Sequence, residues 1–193
     1  GSSRGMTEGS PYMEHFKKHN LEVLYCFDPL DEWVMNSLGS FRGKKIKGVE
    51  SVEIKEDEDV SEEAREQQKV FNNWIRDILS DKISNVKDTP RLTDSPAVVV
   101  DHESLAFRRM VMQMDPTNAP KLPKQTLEIN AKHPIMQGLR TVRETNEPLA
   151  KKIVEQVYDN ALMTAGLLSD SRPMVSRINE ILVEALHKEG GQV

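Results

Sequence analysis

Two neighbouring stretches decide the fold: PLAKKIVEQVYDNALMTA, residues 148–165, and PMVSRINEILVEALH, residues 173–187. In the first, Leu149, Ile153, Val157 and Ala161 form an i, i+4 row beside a second row of Ala150, Val154, Tyr158 and Leu162. In the second, Met174, Ile178, Ile181 and Ala185 recur at intervals of four, three and four, with Val175, Leu182 and Leu186 alongside. Both spacings are helical, and Pro148 and Pro173 sit near helix starts, where a missing N–H does no harm. A helical hairpin that covers one face of a domain needs only one apolar stripe per helix. The excess width favours two hairpins meeting as a dimeric four-helix bundle, while packing inside one chain also accommodates it.

Working outward, 134–143 reads as another helix and 126–129 as a short strand. A proline-bearing loop, 117–124, precedes that strand. SLAFRRMVMQM (104–114) reads as a helix stopped by Asp115-Pro116, with apolar side chains almost all round it. Such a helix is either buried core or an adaptable, methionine-rich surface. Residues 83–87 and 97–100 read as strands joined by the turn-rich TPRLTDSP. Upstream, Ser61 suits the cap of a long helix whose stripe is Val70, Phe71, Trp74, Ile75, Ile78 and Leu79. Before it, KEDEDVSEE (55–63) reads as a solvated linker. Residues 11–20 suit a short helix ending at Asn20, and LEVLYCF (21–27) a strand buried on both faces. A helix from Asp28-Pro29 to about Leu38 and short strands at 45–49 and 52–54 complete the pattern. The fold class is α/β of the α+β kind. A small helix–strand–helix–strand unit and a long helix precede a short mixed or antiparallel sheet and the helical hairpin.

The chain has 193 residues, 30% of them charged and only 5% aromatic, with a net charge of −5. An acidic chain without a concentrated basic block is a poor non-specific nucleic-acid binder, so no nucleic-acid partner is expected. No apolar run approaches the ~18 residues of a membrane span, so no membrane partner is expected either. The lone cysteine, Cys26, excludes an internal disulfide and reads as an inert thiol in an apolar strand. There is no glycine-rich phosphate loop and no GxSxG elbow. His15 and His19 share a helix face, but Phe16 stands where the zinc-protease pattern needs glutamate. No third ligand is identifiable, and the pair reads as a surface or capping feature. No catalytic, cofactor-binding or metal-binding residue is expected.

Six ordered blocks nevertheless resemble the heat-shock protein 90 family of chaperones. They are YMEHFKKHNLEVLYCFDPLDEWVMN, SFRGKKIKGVE, DKISNVKDTPRLTDSPAVVV, TLEINAKHPIMQGL, QVYDNALMTAGLL and RINEILVEAL. The wording is more similar to the mitochondrial paralogue and its bacterial relatives than to the cytosolic members. The opening Gly1-Ser2-Ser3-Arg4-Gly5 before Met6 reads as a cloning scar, with a flexible start over 1–9. The resemblance implies the end of the middle domain at about 10–80 and the C-terminal dimerisation domain at about 82–193. It implies a homodimer held by Val154, Val157, Tyr158, Ala161, Leu162, Met174, Ile178, Ile181, Leu182 and Leu186.

It also implies a surface for unfolded or partly folded clients, with Glu32, Trp33 and Asn36 on one side. In that reading Leu105, Met112 and nearby Met110 or Met114 are expected to be the apolar counterpart across a dimer cleft. The family's ATPase lies in an N-terminal domain, with ATP and magnesium bound there, so this chain is expected to hold no cofactor and not to be an enzyme. Cytosolic members end in MEEVD, which docks tetratricopeptide-repeat cochaperones. This chain ends HKEGGQV, so no such docking is expected. The implied location is the mitochondrial matrix in a eukaryote, the alternative being cytoplasmic. A regulatory scaffold or cochaperone-docking module, without general client binding, is the alternative function.

Overall fold

The computed structural model describes residues 4–28, 30–52, 54, 61–102, 108, 111, 114, 122–168 and 170–190. Short helices α1 (Arg4–Glu8), α2 (Glu14–Lys18) and α3 (Asp31–Leu38) lead to a hairpin, β1 (Ser40–Phe41) and β2 (Lys44–Lys45). The long α4 (Glu62–Ile78) is followed by β3 (Ile83–Asp88), β4 (Ala97–Val100) and β5 (Gln125–Ile129). Helices α5 (Pro134–Thr145), α6 (Glu147–Thr164) and α7 (Arg172–Gly190) close the chain. The architecture is mixed α and β, as the sequence predicts.

β5 comes last of the strands yet lies in the middle, parallel to β3 and antiparallel to β4. Leu127 thereby pairs with Val86 on one side and Val99 on the other. All four β4 residues are buried, which is why AVVV shows no polar alternation. β3 buries Ile83 and Val86, an odd separation that a regular strand forbids. A register shift between Ile83 and Asn85 supplies the extra residue.

Ser61 caps α4 by accepting from the Ala64 N–H at 3.3 Å, and Glu62 and Glu63 sit at the positive end of its dipole. Phe71, Ile75 and Leu79 are buried, Trp74 and Ile78 line the edge, and Val70 is left exposed. The buried three join one continuous core with β3–β5, Met136 and Leu139 of α5, and Ala150, Val154, Val157 and Ala161 of α6. Residues on both sides of 80–82 therefore share that core.

The start of the chain docks by specific polar contacts. The Tyr12 hydroxyl donates to the Val99 carbonyl, and Met13 and Phe16 are buried beside it. The Glu14 carboxylate accepts from the N–H groups of Thr93, Asp94 and Ser95 and from the Ser95 hydroxyl. Asn20 takes the left-handed conformation expected of a helix-ending asparagine, at φ 51°. Arg91, 2% exposed, is the main tie to residues 49–52. Its Nε pairs with Glu128 Oε2 at 3.1 Å, and its terminal nitrogens donate to the carbonyls of Val49, Glu50 and Val52.

Three expectations are corrected here. Residues 21–27 are not a buried strand: they belong to neither sheet, and Leu24 is 82% exposed. β-propensity needs a neighbouring strand to bond to, and none of the described strands flanks this stretch. Cys26 is accordingly half-buried in an irregular segment. The strand expected at 45–49 is replaced by the two-residue ladder of β1 and β2 and a 3₁₀ turn at Val49–Ser51. Of the strand expected at 52–54, residue 53 lies outside the described residues, and 52 and 54 join neither sheet. Arg42 and Gly43 both have positive φ, which closes a tight hairpin earlier in sequence, and Arg91 occupies the carbonyls that a later strand would need.

Two buried phenols should make the fold alkali-sensitive. Tyr158 donates to Gln125 Oε1 at 2.8 Å, and burial, followed by the charges of Asp159 and Asp81, pushes its pKa up to about 12. Burial likewise pushes Tyr12 up. An acid whose pKa is raised by folding binds its proton more tightly when folded, so its contribution is complete below the unfolded value of 10.0. Stability should then fall as the pH rises from about 10 to 12. Urea midpoints across that range should drop more steeply for the wild type than for Tyr158→Phe. Parallel slopes would refute the assignment.

Candidate functional site

The C-terminal hairpin is joined within the chain by a polar seam. Arg177 of α7 pairs with Asp159 at 2.6 Å and Glu155 at 3.0 Å, and Lys152 of α6 pairs with Glu180 at 2.9 Å and Glu184 at 3.3 Å. Residues 177, 180 and 184 share one face of α7, as 152, 155 and 159 share one face of α6. At 3.6 residues per turn, Val175, Leu182 and Leu186 fall on the opposite side of α7. They are 53%, 53% and 68% exposed. The ion-paired face of α7 thus lies against α6, while one of its apolar stripes faces out.

This divides the expected interface residues. Val154, Val157, Tyr158, Ala161, Leu162 and Met174 are buried within the chain's own fold. Ile178 and Ile181 are half-buried at the seam's edge, and Leu182 and Leu186 are on the outward stripe. Val175 and Val183, outside the expected set, are also exposed. Sequence periodicity marks both α7 faces as apolar enough to pack, and the ion pairs with α6 select which one faces away.

The second surface is α3, which buries no residue. Glu32 is half-buried, and Trp33 and Asn36, one turn apart, are exposed. Leu30, Val34 and Leu38 form an exposed i, i+4, i+8 row beside Trp33, and Phe41 follows just past the helix end. Leu105, Met110 and Met112 lie outside the described residues. Met114 is helical and 79% exposed.

The histidine pair forms as the spacing requires, with ring centroids 4.4 Å apart. Burial, followed by the neighbouring His19, lowers the His15 pKa. Among the described residues no group of three or more His, Cys, Asp or Glu is placed to hold a metal. Nor is any helix among them long and apolar enough to cross a membrane. A groove of about 440 Å³ is lined by Trp74, Asp77, Ile78, Glu147, Lys151 and Glu155. Its carboxylates are each ion-paired, with Arg76, Lys151 and Arg177.

Sequence reasoning missed Arg91 and His133 as organising residues. His133 caps α5, its Nδ1 accepting from the Ile135 N–H at 3.1 Å, and its Nε2 lies 3.1 Å from the Asp94 carbonyl. The only signal in the sequence was Pro134 just after it, which marks the first helical position.

These surfaces are exposed apolar stripes on an otherwise charged chain. Residues 1–192 match the family model described as Hsp90 protein. The chain belongs to the Hsp90 family. It is 38% identical over 192 residues to the mitochondrial TNF receptor-associated protein 1 homolog of Dictyostelium discoideum, covering 96% of this chain and 27% of that one. It is 34% identical to the chaperone protein HtpG of Desulfitobacterium hafniense, covering 96% and 31%. It is 35% identical to the mitochondrial heat shock protein 75 kDa of Bos taurus, covering 96% and 28%. The chain therefore spans under a third of the length of these relatives. The match overturns the expectation of a non-enzyme: Hsp90-family chaperones are ATPases, so the chain falls within an enzyme family.

Proposed function

We propose that this chain is the dimerising and client-contacting part of an ATP-dependent chaperone, with α7 as the clamp between protomers. The observation that carries the reading is the outward stripe Val175, Leu182 and Leu186, opposite the internal ion-pair seam. Two such stripes related by a twofold axis cover each other, and the two hairpins then form a four-helix bundle. The α6 side of the bundle remains the core of its own protomer. Sedimentation equilibrium tests this, the expected mass being twice the 21.9 kDa of the chain. A monomer at tens of micromolar protein, roughly the low-affinity range of specific interfaces, overturns it.

Glu32, Trp33 and Asn36 are the client contacts in this reading. Trp33 offers a large apolar surface, and Glu32 and Asn36 can engage exposed backbone and charge. Affinity for any one client is weak, because ordering a flexible chain offsets much of the contact energy. Trp33→Ala should weaken binding of an unfolded model protein about five- to tenfold while leaving the dimer intact, as fluorescence anisotropy would show. Unchanged binding would favour the scaffold alternative. The mitochondrial relatives support a mitochondrial location in a eukaryote, the alternative being cytoplasmic, and the presequence of the full-length gene product would distinguish the two.

A further inference from the structure

The α3 row leads directly into a strongly cationic segment of an acidic chain. Gly39 ends α3, its N–H bonding the Met35 carbonyl, and its own carbonyl accepts from the Ile46 N–H at 2.9 Å. The β1–β2 hairpin is thereby fixed against the C-terminal end of α3. Residues 42–47, from its turn to just past β2, carry Arg42, Lys44, Lys45 and Lys47, all exposed, in a chain whose net charge is −5. Phe41 is 59% exposed, with the Arg42 guanidinium 5.3 Å from its ring. The negative end of the α3 dipole accommodates these cations but is too small to neutralise four of them.

Apolar area and positive charge are therefore continuous. The row Leu30, Val34 and Leu38 spans about 12 Å along the helix and ends at the hairpin.

We propose that this surface selects unfolded segments in which an apolar run is followed or preceded by acidic residues, the acids lying over Lys44, Lys45 and Lys47. Charge complementarity identifies the occupant: a basic segment would meet like charge beside Phe41, whereas carboxylates there would meet opposite charge. The inference rests on the client reading of α3 and adds a substrate preference to it. The lysine contacts are solvent-exposed, so the preference is moderate and depends on salt.

The test uses three labelled peptides with one apolar run, flanked on one side by three aspartates, three serines or three lysines. Anisotropy at low ionic strength should rank them Asp, Ser, Lys, with about five- to tenfold between the first two. The ranking should collapse at about 0.5 M salt, where the screening length is only a few ångströms. The variant Lys44→Gln/Lys45→Gln/Lys47→Gln should lose the aspartate preference and keep the serine peptide's affinity. Equal binding of all three peptides to the wild type overturns the preference and leaves the client surface standing. A preference that survives in the variant places the selectivity elsewhere and also overturns it. Failure of every peptide to bind overturns the client reading together with this one.

Discussion

Replacing Arg91 with methionine should destabilise the chain by about 3–5 kcal/mol, the usual cost of leaving one half of a buried ion pair behind. The guanidinium is almost fully enclosed and serves four acceptors: Glu128 on β5 and the carbonyls of Val49, Glu50 and Val52. Methionine keeps much of the length and none of the donors. Glu128, with a side chain 17% exposed, then loses its counter-charge, and the three carbonyls lose their donor. Urea unfolding followed by circular dichroism should show the midpoint falling with little change in slope. Adding Glu128→Leu should recover part of the loss, because the stranded carboxylate is then gone. A loss under about 1 kcal/mol would mean that the guanidinium is solvated and that residues 49–52 are not tied down by it.

Leu182→Asp should act on association instead of folding. In one protomer the side chain is about half exposed, so the helical signal and the urea midpoint of the dissociated chain should hardly move. In a twofold dimer the carboxylate enters the interface twice, near its own symmetry mate. Burying unpaired charge there costs several kcal/mol, so dimer dissociation should strengthen by about 100-fold or more. Sedimentation at micromolar protein should report a monomer. The contrasting substitution Val157→Ala, inside the core, should lower stability by about 1–3 kcal/mol and leave the mass at high concentration unchanged. If Leu182→Asp leaves the dimer intact, a surface other than the outward face of α7 joins the protomers.

Much of the fold is legible in the order of residues. The stripe of α4, its Ser61 cap, the run Ala97–Val100 and the three C-terminal helices all appear close to their expected limits. Each is announced by local signals: a period, a cap, a proline at a first turn. The failures share a different cause. LEVLYCF has strand composition throughout but no described strand beside it, and a strand exists only by pairing. TPRLTDSP reads correctly as a turn, yet nothing in it reveals that Arg91 reaches back some forty residues to Val49, Glu50 and Val52.

The candidate surfaces divide in the same way. The sequence alone marked α7 as apolar on more than one side, placed Trp33 and Asn36 one turn apart, and carried the resemblance that the family match supports. It could not say which α7 face is free. The Arg177 and Lys152 ion pairs between α6 and α7 decided that, because a charged row that meets its partner inside the chain leaves the row opposite it facing solvent. Tertiary structure likewise enclosed Val154, Val157 and Tyr158 against the sheet, where hydrophobic periodicity cannot distinguish a protomer's own core from an interface. Period reports that a side chain must leave water; only the arrangement of distant elements determines what covers it.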